Sequence, residues 1–252
     1  MKTHSKRAAF AALAFVGGTA LGGGVSGCKS RVPNMISRSQ QVELGQNAAQ
    51  EVERKNQIVT TGPQAELLAR VQAKVVPLAR RDFDVPYSVK LIQSNEINAF
   101  ALPGGPTYFY TGLLDLAQTE DEVAAVVGHE CAHVVRQHSA QQISQANFEQ
   151  ILAGLAVGRQ GQVVQTAAGA LLQLNQLRYS RGDEAEADKV GFRYMVQTGY
   201  NPEAMASMFR RMEQKAGKAG SPEWLQSHPL TGKRVQTTQK YADEYKQSGK
   251  LP

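Results

Sequence analysis

Cysteine is nearly absent from this chain. Two among 252 residues cannot build a disulfide framework, so the fold has to rest on a packed core, for which this length suffices in one large domain or two small ones. Internal repeats are missing as well, and only one stretch is compositionally biased. With 42% hydrophobic and 20% charged residues, the chain matches neither a disordered segment nor a polytopic membrane protein. Charge of one sign is also in short supply. The formal +6 includes Lys2, Lys6 and Arg7, which lie in a removable leader that has no acid, and without them it falls to +3. Nucleic acid is therefore not an expected partner.

That leader is the first thing present rather than lacking. A basic start is followed by Ala8 to Val25, which is apolar or small and carries no charge, the arrangement of an export signal. Gly17, Gly18, Gly22, Gly23 and Gly24 make it a poor permanent membrane helix. Val25-Ser26-Gly27-Cys28 resembles a bacterial lipobox, in which the cysteine is acylated and becomes the new N-terminus; the alternative is an ordinary secretory signal that leaves a free thiol. Lys29 after the cysteine points, by analogy with Gram-negative lipoproteins, to the outer membrane and the periplasm. The expected organisation is a leader over 1–27, a lipidated tether over 28–38 and one domain over 39–252.

The domain reads as helices around a small sheet, an α+β fold that is predominantly helical. Helices are expected from about Ser39 to Asn56 and from Gln64 to about Arg81, with Pro77 kinking or ending the second. Tyr87 to Ile92, Ile97 to Leu102 and Thr107 to Thr111 read as three strands, the last two joined by the turn Pro103-Gly104-Gly105-Pro106. Near the C-terminal end, Asn201-Pro202 should cap and open a helix that follows Gly199.

The chemistry concentrates in His129-Glu130-Cys131-Ala132-His133. Thr119 followed by Glu122 is a capping-box signature, so a helix should begin there and run through the motif. At about 100° per residue, His133 lies about 40° from His129 and Glu130 about 100° from it, so the three share one arc. Two imidazoles can then chelate one ion while the carboxylate reaches a water on it. Cys131 falls about 200° away and His138 about 180° away on the same count. The first is expected to be a small buried residue, the second a surface or capping histidine.

A hydrolytic zinc site needs three protein ligands. Ser180-Arg181-Gly182-Asp183-Glu184-Ala185-Glu186-Ala187-Asp188 offers four acids on what should be a second helix. Glu184 and Asp188, four apart, share a face, whereas Glu186 sits about 200° from Glu184. Glu184 is thus the expected third ligand, and Asp188 the acceptor for a ligand histidine's free N–H. Ala185 and Ala187 are small enough to let the two helices approach closely. The competing reading is a solvated acidic helix start.

These segments, together with Asn98-Ala99-Phe100-Ala101-Leu102-Pro103-Gly104-Gly105, resemble the zinc endopeptidase family of HtpX, the CAAX prenyl endopeptidase and the mitochondrial Oma-type proteases, over roughly residues 39 to 245. The lipobox places the resemblance nearest a periplasmic lipoprotein branch typified by LoiP. The resemblance implies a gluzincin-type zincin domain with one Zn2+ per chain bound by His129, His133 and Glu184, and with Glu130 as catalytic base. A downstream His-Pro near an arginine also belongs to the family pattern and is matched by His228-Pro229 and Arg234. That histidine implies either oxyanion stabilisation or capping of the resting metal, with Arg234 a second candidate donor, and a loop histidine before a proline turn remains open.

The expected function is a zinc-dependent endopeptidase at the outer membrane that cleaves misfolded or damaged envelope proteins. The alternative is a chaperone-like binding lipoprotein with a structural or regulatory zinc. Asn98, Ala99, Phe100 and Ala101 would present an edge to which an extended, unfolded substrate adds as a strand, unless they pair inside the sheet. Between Ser139 and Leu177 only Glu149 and Arg159 are charged. This biased stretch suggests a helical hairpin acting as a lid or as a docking surface for an envelope partner.

Overall fold

A computed structural model describes residues 34–146, 178–219 and 222–252. Cys28 and the leader lie outside the described residues, as do residues 147–177 of the hairpin expected over 139–177; its start, 139–146, falls in the helix His138–Ala146. Nine helices and four strands occur among the described residues: α1 (Arg38–Lys55), β1 (Ile58–Val59), α2 (Pro63–Asp82), β2 (Ser88–Ile92), β3 (Ala99–Ala101), β4 (Pro106–Tyr110), α3 (Thr111–Leu116), α4 (Glu120–Val135), α5 (His138–Ala146), α6 (Arg181–Gln197), α7 (Glu203–Ala219), α8 (Trp224–Ser227) and α9 (Gly232–Ser248). None of these helices is long and apolar enough to cross a membrane.

The sheet has four strands rather than the expected three, in the order β1-β2-β4-β3. The additional strand is two residues long, Ile58 and Val59 opposite Ile92 and Leu91, too short to display an alternation in sequence. β2 and β4 run parallel, while β3 returns antiparallel to β4 through the expected turn. Gly104 (φ 71°) and Gly105 (φ 125°) adopt positive φ there, and a Cβ on either would strike backbone of Gln41 or Pro86 at 2.6 Å, so only glycine fits both. Pro77 does not end α2, which continues to Asp82. The buried stripe of Val71, Val75, Val76 and Ala79 holds the helix together across the missing N–H.

α4 is the central element, with α2, α6 and α7 packed around it. Every residue from Glu122 to Val134 is buried, as expected of a helix that is apolar nearly all round. Its start is fixed by Thr119, whose hydroxyl accepts from the Glu122 N–H at 3.2 Å. The reciprocal half of the capping box is not made. Glu122 instead accepts from the Gln118 N–H at 2.7 Å, from Ser207 and from Arg211 at 3.1 Å, stitching α4 to α7. Burial alone would raise the pKa of this carboxyl, but those three donors hold it below the ordinary 4.5.

α4 and α6 cross where glycine meets glycine. A Cβ on Gly191 would sit 3.0 Å from His129 N and 3.1 Å from Gly128 C. Ala187 is fully buried at this contact, but Ala185 points outward, so the close approach expected of the two alanines is made by Ala187, Gly191 and Gly128.

Candidate metal centre

His129 and His133 project from one face of α4, and Glu184 meets them from the first turn of α6. That turn is set by a capping box in which Ser180 Oγ accepts from the Asp183 N–H at 3.1 Å and the Asp183 carboxylate accepts from the Ser180 N–H at 3.0 Å. His133 Nε2 lies 3.0 Å from His129 Nε2 and 3.3 Å from Glu184 Oε1. His228, just past α8, enters from a third direction, with Nδ1 3.1 Å from Glu184 Oε1 and 3.3 Å from His129 Nε2. All four side chains are buried, and their nearest ligand atoms lie within 4.8 Å of one another.

The residues suit a tetrahedral ion. Nitrogen and oxygen ligands about 2.0–2.1 Å from zinc stand about 3.3 Å apart at the corners of a tetrahedron, close to the separations found here. Charge agrees as well. Glu130, Glu184 and Asp188 in their ionised forms face a single buried guanidinium, Arg234, and a divalent cation matches the excess of negative charge. The carboxyl of Glu184 is buried, which opposes ionisation, yet His228 and Arg234 hold it well below the usual carboxylate range. Burial pushes His133 well below its ordinary value, toward the neutral form that ligates. His129 behaves differently in the metal-free protein. Burial would lower it, but Asp188 and Glu184 raise it to about 9, so metal binding there displaces a proton.

Glu130 sits beside this cluster. Its Oε1 accepts from the Trp224 indole N–H at 3.0 Å, and its buried Oε2 has no hydrogen-bond partner among the described residues. Asp188 Oδ1 lies 3.0 Å from His129 Nδ1, on the ring nitrogen that faces away from the other ligand atoms. Arg234 grips Asp188 through Nε (2.8 Å) and Nη2 (2.7 Å), pairs with Glu184 through Nη1, and donates to Pro229 O at 3.3 Å. It also lies over the rings of Phe209 and Trp224. These donors are committed to carboxylates and a carbonyl, so in this geometry Arg234 braces the acidic pair rather than facing a developing oxyanion.

Ala99, Phe100 and Ala101 form β3, with Asn98 just before it; among the described residues β3 is an edge of the sheet and pairs only with β4. Two carbonyls along this edge are already in use: Ile97 O, two residues before the strand, accepts from the Trp224 backbone N–H at 3.1 Å, and Ala101 O accepts from Ser139 Oγ at 3.3 Å.

Cys131 is fully buried, and burial pushes its thiol up to about 12, as expected of an inert core cysteine. The reading of His138 as a surface or capping residue is overturned, because its side chain is buried and its Nδ1 lies 2.9 Å from His133 Nδ1. Helical counting fails there for a definite reason. α4 stops at Val135, and Gln137 takes a left-handed conformation (φ 57°) that swings His138 back toward the centre. Two aromatic residues escaped the sequence reasoning. Trp224, the lone tryptophan, stacks on His228 with centroids 4.6 Å apart, and its spacing one helical turn before that histidine was the available signal. Tyr179 stacks on His133 at 3.9 Å; its position just ahead of Ser180 carried no signal of its own.

Known proteins share this arrangement of segments. The model described as Peptidase family M48 matches residues 63–242. The chain is similar to the mitochondrial metalloendopeptidase OMA1 of Schizosaccharomyces pombe, 29% identical over 183 residues that cover 72% of this chain and 54% of that one. It is similar to a putative beta-barrel assembly-enhancing protease of Vibrio cholerae, 30% identical over 76% of this chain and 42% of the relative. With the metalloprotease LoiP of Escherichia coli it shares 28% identity over 84% of either chain. The chain therefore spans about half the length of the first two relatives and most of the third.

Proposed function

Because this chain belongs to peptidase family M48, we propose that it is a zinc-dependent endopeptidase, anchored through Cys28 to the outer membrane, which hydrolyses misfolded or damaged proteins of the envelope. The observation that carries the proteolytic part is the convergence of His129, His133 and Glu184 on one point with the free Oε2 of Glu130 beside it. Zinc is the cation that a His₂Glu set with one tetrahedral position left open favours. The beta-barrel assembly-enhancing protease and LoiP are bacterial proteins, the first named for beta-barrel assembly, in keeping with an envelope setting, and the Cys28 lipobox would supply the anchor.

Zinc bound here would polarise the scissile carbonyl and acidify the attacking water. The chain's own residues do the rest. Glu130 accepts the proton from that water on Oε2 and returns it to the leaving amine, while the Trp224 indole keeps Oε1 in place. Asp188 stands 3.0 Å behind His129 Nδ1, placed to set the tautomer of that ring when it ligates, and Arg234 holds Asp188. With the Ile97 and Ala101 carbonyls engaged, an added substrate strand would pair with this edge at Ala99 between them, a mode that reads few side chains and suits unfolded chains.

His228 favours a second reading. With its Nδ1 included, the ligand set is closed at four, the mark of a structural site, and the protein would then be a binding or chaperone-like lipoprotein. Casein digestion by the purified domain lacking the leader separates the two. Cleavage that is lost with Glu130→Gln and with a chelator, and is restored by zinc, is expected. Zinc-loaded protein that binds unfolded chains and never cuts them would overturn the proteolytic reading. Incorporation of labelled palmitate, abolished by Cys28→Ser, tests the anchor.

A further inference from the structure

The two histidines on α4 are supported from behind by different groups. His129 has the Asp188 carboxylate 3.0 Å from its Nδ1. Among the described residues, no carboxylate stands behind His133. Its Nδ1 faces His138 Nδ1 at 2.9 Å, and His138 Nε2 continues to Glu186 Oε2 at 3.3 Å, with Asp183 Oδ1 at 3.8 Å. Glu186 is itself paired with Arg136 Nε at 3.1 Å.

The direction of each hydrogen bond in this chain follows from its inner end. A ligating Nε2 on His133 carries a lone pair, so the proton of the neutral ring is on Nδ1. That N–H donates to His138, whose Nδ1 must then be the acceptor. The proton of His138 consequently sits on Nε2, where Glu186 receives it. One arrangement of protons satisfies both hydrogen bonds, from His133 through His138 to the Glu186 carboxylate.

We propose that His138, anchored by Glu186, is a positioning residue that fixes the tautomer and ring orientation of His133, as Asp188 does for His129. This rests on the reading of His133 as a metal ligand. The fold goes to some length to place His138. Gln137 is the one non-glycine residue with positive φ among those described, and its side chain is held by Asn34 at 2.7 Å and Gln41 at 2.9 Å. Non-glycine residues adopt that conformation only where surrounding contacts enforce it. His138 opens α5 within hydrogen-bond reach of His133, and Tyr179 covers both rings. The two supports differ in kind. Asp188 offers His129 a charged acceptor, whereas His133 receives a neutral imidazole that relays to a carboxylate.

The test measures the zinc dissociation constant by competition with a chromogenic chelator, and the visible spectrum of the cobalt(II) form, in wild type, His138→Phe, His138→Asn and Glu186→Ala. Loss of a hydrogen-bonding support behind a ligand histidine weakens metal binding by about 10- to 100-fold. That loss and a shifted cobalt band are expected for His138→Phe, with the metal-free melting temperature close to wild type. His138→Asn restores an acceptor near the Nδ1 position and should recover most of the affinity, and Glu186→Ala should lose less than His138→Phe. Unchanged affinity and spectrum in His138→Phe, or equal losses in the Phe and Asn variants, would overturn the proposal. If His138→Phe does not fold, Glu186→Ala decides, since that side chain is about one-third exposed; wild-type affinity in that variant refutes the relay. Wild-type protein that takes up neither zinc nor cobalt removes the ligand reading itself, an outcome distinct from metal binding that ignores His138.

Discussion

Trp224 lies flat on His228, with ring centroids 4.6 Å apart and planes 8° from parallel, and the same indole donates its N–H to Glu130. One side chain thus touches both the proposed base, Glu130, and the fourth member of the buried cluster. The stack requires only an aromatic face, whereas the hydrogen bond requires the indole nitrogen, so the two contributions can be separated.

Trp224→Phe keeps the stack and deletes the donor. A hydrogen bond to a charged group contributes about 1.5–3 kcal/mol, and if Glu130 needs it to stay aimed, kcat/KM on casein should fall by about 10- to 100-fold. Metal content, measured by atomic absorption, should stay at the wild-type level. Unchanged kcat/KM would show that Glu130 is oriented by other contacts.

Gly191→Ala tests the helix crossing. The new methyl would meet the backbone of His129 and Gly128 at 3.0–3.1 Å, and backbone at the centre of the core cannot step aside. Overpacking of this kind costs about 1–3 kcal/mol, and the displaced His129 should weaken zinc binding as well. Gly232→Ala, where a Cβ meets nothing within 4 Å, is the matched control and should melt within a degree or two of wild type. Chemical denaturation of both variants with and without zinc provides the measurement.

Glu122→Gln should change how stability responds to acid. The folded carboxyl titrates below its ordinary 4.5, so the native state prefers the ionised form more than the unfolded chain does. That preference stabilises the fold fully above about pH 4.5 and is lost as pH falls through the lower, folded value. The melting temperature of wild type should therefore exceed that of Glu122→Gln near neutrality, and the gap should close in acid. A gap that stays constant with pH would mean that the variant acts through shape rather than charge.

The shared faces of His129 with His133 and of Glu184 with Asp188 were legible in sequence because each pair lay inside one helix. His129 and His133, and Glu184 and Asp188, are four apart, so angular counting along α4 and α6 suffices to put each pair on a face. The capping signals of Thr119 and Ser180 are equally local. What counting along one helix could not reach depended on a change of direction or on packing between distant segments. His138 was misplaced because Gln137 breaks the helical count. β1 is too short to carry a pattern. The committed state of the Arg234 donors depends on α9 folding back against α6, which no spacing encodes, and the Gly128–Gly191 contact requires knowing how two helices cross.

The burial of α4 from Glu122 to Val134 has a consequence for how the molecule breathes. Amides sealed on every side exchange with heavy water only when the whole domain opens, so the helix that carries His129, Glu130 and His133 should be among the last parts of the protein to take up deuterium. Among the described residues, Tyr179 and the short turn from Trp224 to His228 lie against its histidines, so motion that opens the cluster is expected there while the helix beneath stays rigid.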